Sequence, residues 1–372
     1  MDKARLDQAS AAVGRRRDTL RAIDADAHID ETEDTWEYLD ESERRLKPIS
    51  FELSDGEAVG PSDGRRHRLW LISGNARLRR FRSDQATGTT RETRELLDVP
   101  ARLRHMDELG IDVQVLFPTT FLHSVTDQPE VELALYRAYN RWIADRTSAS
   151  SGRLRWVAQI PVLSIDKAVE ELRFAKDHGA CGVMKKGIEA GARAASDPYF
   201  FPLYEEAERL DLAICIHQGV GDPNVSNTND SGRVSVFNVI SAAGSLASAG
   251  VPDQFPKLRC GFIETGASWI PYIMKDIGMR GKADRAGYDY KTGWLAHNRF
   301  YVTCDTEDDI PYLVDNFGAE DYLMIGTDYS HVDQSAEMRA HQAIVDMATR
   351  GEFSQTVATK IVTDNAKVFY GL

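Results

Sequence analysis

Apolar and polar positions follow two different regimes along this chain. From Ala101 onward, short apolar runs alternate with segments whose apolar positions recur every three to four residues. The first kind reads as buried strands and the second as amphipathic helices. In order, the pattern predicts a helix over 101–109 ended by Gly110, a strand over 112–118, a long helix over 131–146 and a strand over 156–161. A helix over 166–178 follows, with Val169, Leu172 and Ala175 on one face and Gly179 behind it, then a strand over 182–186. Glycine just past a helix suits the left-handed cap. Helix 202–211 leads to strand 212–217, and a weak Ala/Ser-rich helix over 236–249 leads to strand 259–264. Helix 269–279, strand 299–304, strand 322–328 and further helices complete the chain.

Upstream lies one more alternating run, 21–28, preceded by a polar helical arm over 1–20. Period-two alternation sets Asp24, Asp26 and His28 on one face and Ala25 and Ala27 on the other. Residues 32–100 lack either period and are rich in Gly, Ser, Asp and Arg. Such a stretch is long for a plain loop. Eight strands separated by helices predict an α/β protein with a parallel sheet, and eight units close a (β/α)8 TIM barrel. The expected organisation is one domain over 1–372, with 32–100 as an insertion after strand 1, over the barrel mouth. An open doubly wound sheet would carry a glycine-rich phosphate loop, and neither GxGxxG nor GxxxxGK[ST] occurs.

Composition narrows the function. A 42% hydrophobic share suffices for a large core, and a net charge of -13 argues against nucleic acid or an acidic membrane as partner. Cys181, Cys215, Cys260 and Cys304 sit in apolar runs without CxxC spacing, as reduced core cysteines would. With no 18-residue apolar run and no signal-peptide pattern, a cytoplasmic protein is expected. Base rates favour a homodimer.

In a barrel, chemistry gathers at the C-terminal strand ends. Here those ends carry Asp26 and His28, then His217, Glu264 and Asp328. Burying such side chains unpaired is costly, and a bound cation removes the cost. Imidazole mixed with carboxylate suits Zn²⁺, Fe²⁺ or Mn²⁺ better than calcium. Each position also has a plainer reading: an acidic edge strand for 24–28, a satisfied structural histidine for His217, a helix N-cap for Asp328.

Asp26-x-His28, Ile-His-Gln-Gly at 216–219, Phe-Ile-Glu-Thr-Gly-Ala-Ser-Trp at 262–269 and Ile-Gly-Thr-Asp-Tyr-Ser-His at 325–331 together resemble the amidohydrolase-related family. Tyr139-Asn140-Arg141-Trp142 and Ile160-Pro161 add to the likeness, which spans about residues 21–372 and is weakest across 32–100. The nearest group is that of aminocarboxymuconate semialdehyde and resorcylate-type decarboxylases. The resemblance implies one divalent metal ion, zinc first and iron or manganese next, held by Asp26, His28, His217 and Asp328. It departs at strand six, where those relatives carry a histidine and this chain carries Glu264.

Glu264 is expected to do acid/base work, since a third carboxylate would exceed the charge of the ion. His331 would orient Asp328 or the substrate, and His123 stands in the second βα loop, where a proton donor could sit. Lys185, beside Lys186, is expected to contact a substrate carboxylate and Trp269 to wall the pocket. Arg141 reads as a structural ion pair. The expected activity is non-oxidative decarboxylation of a small aromatic or unsaturated carboxylic acid. Metal-dependent hydrolysis of an amide, ester or C–C bond is the alternative, and a ligand-binding barrel without catalysis is a third reading. Ligands that cost stability when empty argue against the third.

Overall fold

Eight strands form one parallel sheet in strict chain order: β1 (Ala22–Ile29), β2 (Ile111–Pro118), β3 (Leu154–Ala158), β4 (Ala180–Lys185), β5 (Ala213–His217), β6 (Cys260–Ile263), β7 (Phe300–Cys304) and β8 (Leu323–Ile325). The computed structural model describes residues 22–52, 68–79, 82–222, 231–279, 289–332 and 335–372. The helical arm expected over 1–20 lies outside them. Helices follow the strands as expected, among them Pro129–Ser148, Ile165–Asp177, Phe201–Arg209, Ser231–Ser248, Ile270–Met279 and Ile310–Phe317. The result is a (β/α)8 TIM barrel.

The ring closes where β1 meets the segment that follows β8. Ala27 bridges Tyr329 in parallel, the His28 N–H donates to the Tyr329 carbonyl at 3.1 Å, and the Asp328 N–H donates to the Asp26 carbonyl at 2.9 Å. Gly326 makes this approach possible, because a Cβ there would lie 2.5 Å from the Cβ of Asp26. At the other end the barrel is plugged by Asn365–Tyr370, whose Phe369 ring fills the space a side chain at Gly261 would need. Phe369 and Tyr370 join Ile23, Ala25, Val115, Met184, Cys215 and Met324 in the barrel's interior core. All four cysteines are buried and free.

Residues 32–100 are not structureless. Two 3₁₀ turns (Glu33–Tyr38 and Glu41–Leu46), an antiparallel sheet of Ile49–Glu52, Arg68–Ile72 and Asn75–Arg79, and short helices at Asp84–Thr87 and Arg91–Arg94 fill their described part. Alternation hid one of these strands because it buries Arg77 and Arg79. Arg79 lies 4.3 Å from the Trp70 ring and pairs with Glu33, so its charge is met where a sequence reading expects solvent. Trp36 packs edge-on against Phe121 and Arg77 donates to the Val125 carbonyl, which seats the segment on the loop after β2. No helix among the described residues is long and apolar enough to cross a membrane.

Candidate metal centre

Strand β1 does not alternate simply. Asp24 pairs with Gln114 and Ala27 with Leu116, so three steps on β1 match two on β2, a β-bulge. Ile23 and Ala25 therefore face the barrel interior, while Asp26 and His28 both turn into the mouth. Asp24 is separated from them, contrary to the single-face reading. It accepts from the Thr327 N–H (2.8 Å), the Thr327 hydroxyl (2.6 Å) and the Gln114 amide (2.8 Å), tying β1 to the segment after β8. Burial raises its pKa, against the pull of His341 and these donors.

Five buried atoms converge at the mouth. His28 Nε2 lies 3.4 Å from Asp26 Oδ1, 3.4 Å from Asp328 Oδ1 and 3.7 Å from Glu264 Oε2. His217 Nε2 lies 3.3 Å from Asp26 Oδ1 and 3.2 Å from Glu264 Oε2. Both imidazoles have their other nitrogen occupied: His28 Nδ1 donates to the Pro118 carbonyl (3.2 Å) and His217 Nδ1 to the Gln218 carbonyl (2.9 Å). These bonds set the tautomer in which Nε2 offers a lone pair to a metal. The Phe117 ring closes the floor, 4.8 Å from His217 and 5.9 Å from His28. Glu264 and Asp328 both hold a left-handed backbone, φ 60° and 47°. Non-glycine residues adopt that region at a cost, and such outliers cluster at functional sites.

Electrostatics points the same way. Burial alone would lower the pKa of His28, yet the carboxylates of Asp26 and Glu264 beside it raise it to about 10. Burial would raise Asp26, but His217 and His28 hold it far below the usual carboxylate range. The cluster thus retains a proton where it carries more negative charge than it can neutralise. His28 Nε2 and Glu264 Oε2 are buried and make no hydrogen bond, a costly arrangement unless a cation stands between them. Two imidazole nitrogens and three carboxylate oxygens are the donors that zinc, manganese or iron accept. The residues present fit a divalent ion.

Of the residues singled out in the sequence, Asp26, His28, His217, Glu264, Asp328 and His331 are brought together. Glu264 Oε2 belongs to both groups of converging donors, one with Asp26, His28 and His217, the other with His28, Asp328 and His331. Its carboxylate therefore sits among the candidate ligands, 3.2 Å from His217 Nε2 and 3.7 Å from His28 Nε2. His331 Nδ1 meets Asp328 Oδ1 at 2.6 Å, its ring stacks on His28 at 4.0 Å, and its Nε2 lies 3.3 Å from the Thr119 hydroxyl.

The other four stand apart from this group. His123 Nδ1 accepts the Val220 N–H at 3.2 Å, which joins the loops after β2 and β5. Trp269 donates to the Gly266 carbonyl (2.8 Å) and packs on Phe262 in the layer between sheet and helices, not in the mouth. Lys185 also points outward: it pairs with Glu189 and lies 3.4 Å from the Phe200 ring. Met184 takes the interior place, so alternation forbids it to Lys185. Arg141 pairs with Glu171, a structural contact. Two neighbouring contacts were not foreseen from the sequence. Ser335 donates to Asp328 Oδ2 (3.1 Å) from a loop seven residues downstream. Glu31 accepts the Thr120 N–H at 2.8 Å, with burial pushing it up to about 7.

The sequence profile of a family described as amidohydrolase matches residues 23–372. The chain belongs to that family. Over 284 residues it is 25% identical to 2-amino-3-carboxymuconate-6-semialdehyde decarboxylase of Dictyostelium discoideum, covering 74% of this chain and 77% of the relative. Among solved structures, an amidohydrolase of Mycobacterium avium subsp. paratuberculosis superposes with a TM-score of 0.74 at 20% identity, covering 95% and 98% of the two chains. A 5-carboxyvanillate decarboxylase of Novosphingobium aromaticivorans, complexed with manganese and 4-hydroxy-3-methoxy-5-nitrobenzoic acid, superposes with a TM-score of 0.65 at 17% identity, covering 95% and 97%. At these identities the two structures establish the shared fold.

Proposed function

We propose that this chain is a metal-dependent decarboxylase that releases CO₂ from a small aromatic or unsaturated carboxylic acid without oxidation. The observation that carries this reading is the pair of donor groups that share His28 and Glu264, one with Asp26 and His217 and the other with Asp328 and His331, at the mouth of an amidohydrolase-family barrel. The names of the Dictyostelium and Novosphingobium relatives support it. Asp26, His28, His217 and Asp328 would hold one divalent ion, zinc by its liking for imidazole, with manganese as the competitor suggested by the carboxyvanillate relative. When bound, the ion supplies Lewis-acid chemistry, polarising a substrate carboxylate and an oxygen beside it.

The chain's own residues do the rest. The bonds from His28 and His217 to the Pro118 and Gln218 carbonyls keep both rings oriented, and His331 steadies Asp328. Phe117 offers an apolar face beneath a flat substrate. Glu264 acts as the acid. As the C–C bond to the carboxylate breaks, its electron pair stays on the ring carbon, CO₂ departs, and that carbon takes the proton from Glu264. A homodimer in the cytoplasm is the assembly we take for this enzyme.

The test is incubation of the metal-loaded protein with a panel of hydroxybenzoic and heteroaromatic acids in D₂O. CO₂ release with one deuterium at the carbon that lost it is expected. Cleavage of aryl esters or amides with no CO₂ from any acid would replace decarboxylation by hydrolysis.

A further inference from the structure

A second cluster of buried ionisable groups borders the mouth, and the mechanism above does not use it. It consists of Lys185, Lys186, Glu132, Glu189 and Tyr136, all buried. Its members are unequally paired. Lys185 binds Glu189, and Glu189 also accepts the Lys186 backbone N–H at 3.4 Å. Glu132 accepts the Leu163 N–H at 2.8 Å. Both carboxylates are thus committed. Lys186 is only 3% exposed, yet its ammonium has no carboxylate within ion-pair distance among the described residues, and its nearest ring, Tyr136, is 5.7 Å away.

Burying a lysine without a carboxylate in ion-pair contact is expensive, because desolvation is not offset by pairing. Burial accordingly lowers the pKa of Lys186, with Glu189 and Glu132 opposing from a distance. Such a group is retained at a stability cost, which is a reason to look for an anion that it meets in use.

Its position says which anion. Lys185 is opposite Ile216 in the β4–β5 register, which puts Lys186 beside His217 on a strand about 4.8 Å away. Met184 faces the barrel interior, and by alternation Lys186 turns to the same side, toward the mouth. Its Cγ passes over Gly219, where a Cβ would come within 3.5 Å of it and within 1.9 Å of the Leu122 carbonyl. Any side chain at Gly219 would intrude on this passage. The stem of Lys186 thus runs between the loops after β2 and β5, next to the residues proposed to hold the metal.

We propose that Lys186 binds a second anionic group of the substrate, so that the acid decarboxylated here is a dianion with one carboxylate at the metal and another acidic group at Lys186. This rests on the decarboxylase reading above and narrows it from carboxylic acids in general to dicarboxylates and their equivalents.

The experiment is calorimetric titration of the Zn²⁺-loaded and Mn²⁺-loaded protein with benzoate, isophthalate and terephthalate. At least one dicarboxylate should bind about tenfold or more tightly than benzoate, the scale of one charge-assisted hydrogen bond. Lys186→Met should erase that preference while metal content and benzoate affinity stay as in the wild type, and Lys186→Arg should restore part of it. Lys186→Gln replaces the methionine variant if the latter does not fold. Benzoate binding with no dicarboxylate preference in the wild type, or a preference that survives Lys186→Met, overturns the inference and leaves the decarboxylase reading standing. Failure of all three acids to bind overturns both.

Discussion

Two ionisable clusters border the same barrel mouth, and they are built on opposite principles. Around His28, three carboxylates outnumber the charge that two imidazoles can carry, and the cluster suits a cation. Around Lys186 the carboxylates are already committed and one ammonium is left over, which suits an anion. Neighbouring residues are sorted into these clusters by parity. In β1 a bulge brings Asp26 and His28 into the mouth and sends Asp24 to the seam. In β4 plain alternation divides Lys185, which is structural, from Lys186, which turns inward. The contrast teaches that a side chain's chemistry follows from the local backbone register more than from its place in a motif.

The sharpest way to break the contrast is His28→Ala. Protein purified without chelator should fall from one equivalent of divalent metal to well under one by elemental analysis, and activity should vanish with it. Full occupancy would remove His28 from the ligand set. Glu264→Gln comes next. General acid/base catalysis contributes about 10²–10⁴-fold, so kcat should drop by that factor with metal content unchanged. Loss of metal in this variant would make Glu264 a ligand, as its place in both donor groups permits, and near-normal turnover would make it a bystander.

On the lysine side, Lys185→Met should leave Glu189 buried without its ammonium. Breaking a buried pair on one side costs about 3–5 kcal/mol, readable by denaturant unfolding, and metal content should not change. A stable variant that fails to bind dicarboxylates would reverse the roles given to Lys185 and Lys186. The smallest effect is a pH dependence. Burial pushes Glu132 up to about 8 from an ordinary 4.5, against the pull of the Leu163 amide and Lys186. The folded chain then holds this proton more tightly than the unfolded one. The contribution is complete below about pH 4.5 and is lost as pH rises through about 8, at no more than about 1.4 kcal/mol per pH unit. Glu132→Gln should flatten the fall in Tm over that window, and an unchanged slope would locate the pH dependence elsewhere.

Much of this is legible in the amino-acid sequence alone. The strand ends at His217, Glu264 and Asp328 were readable, because a parallel strand buried on both faces is a continuous apolar run with an abrupt polar end, and β1 was readable from its alternation. His331 was readable from its offset of three residues from Asp328. The bulge was not, since an extra residue in β1 leaves the apolar pattern intact and alters only which of Asp24, Asp26 and Ala25 face inward. The directions of Lys185 and Trp269 were hidden for a related reason: a strand end or loop residue has no periodic neighbours beyond it to set parity. The sheet between Ile49 and Arg79 escaped notice because its strands span only four or five residues and one of them buries arginines on tryptophan and glutamate.

The meeting of Asp26 with Asp328 has a consequence for the molecule as a whole. These two residues belong to the first strand of the barrel and to the segment after its last, and are joined directly by a backbone hydrogen bond, each with a carboxylate oxygen 3.4 Å from His28 Nε2. An ion shared between them would act as a clasp on a loop of about 300 residues, and loops of that length are costly to close. Loading the clasp should therefore steady β1 against β8 and make the ring open as one unit. Slower amide hydrogen exchange at His28 and Asp328 in metal-loaded protein than in chelated protein would register it, with the C-terminal plug around Phe369 as the unaffected reference.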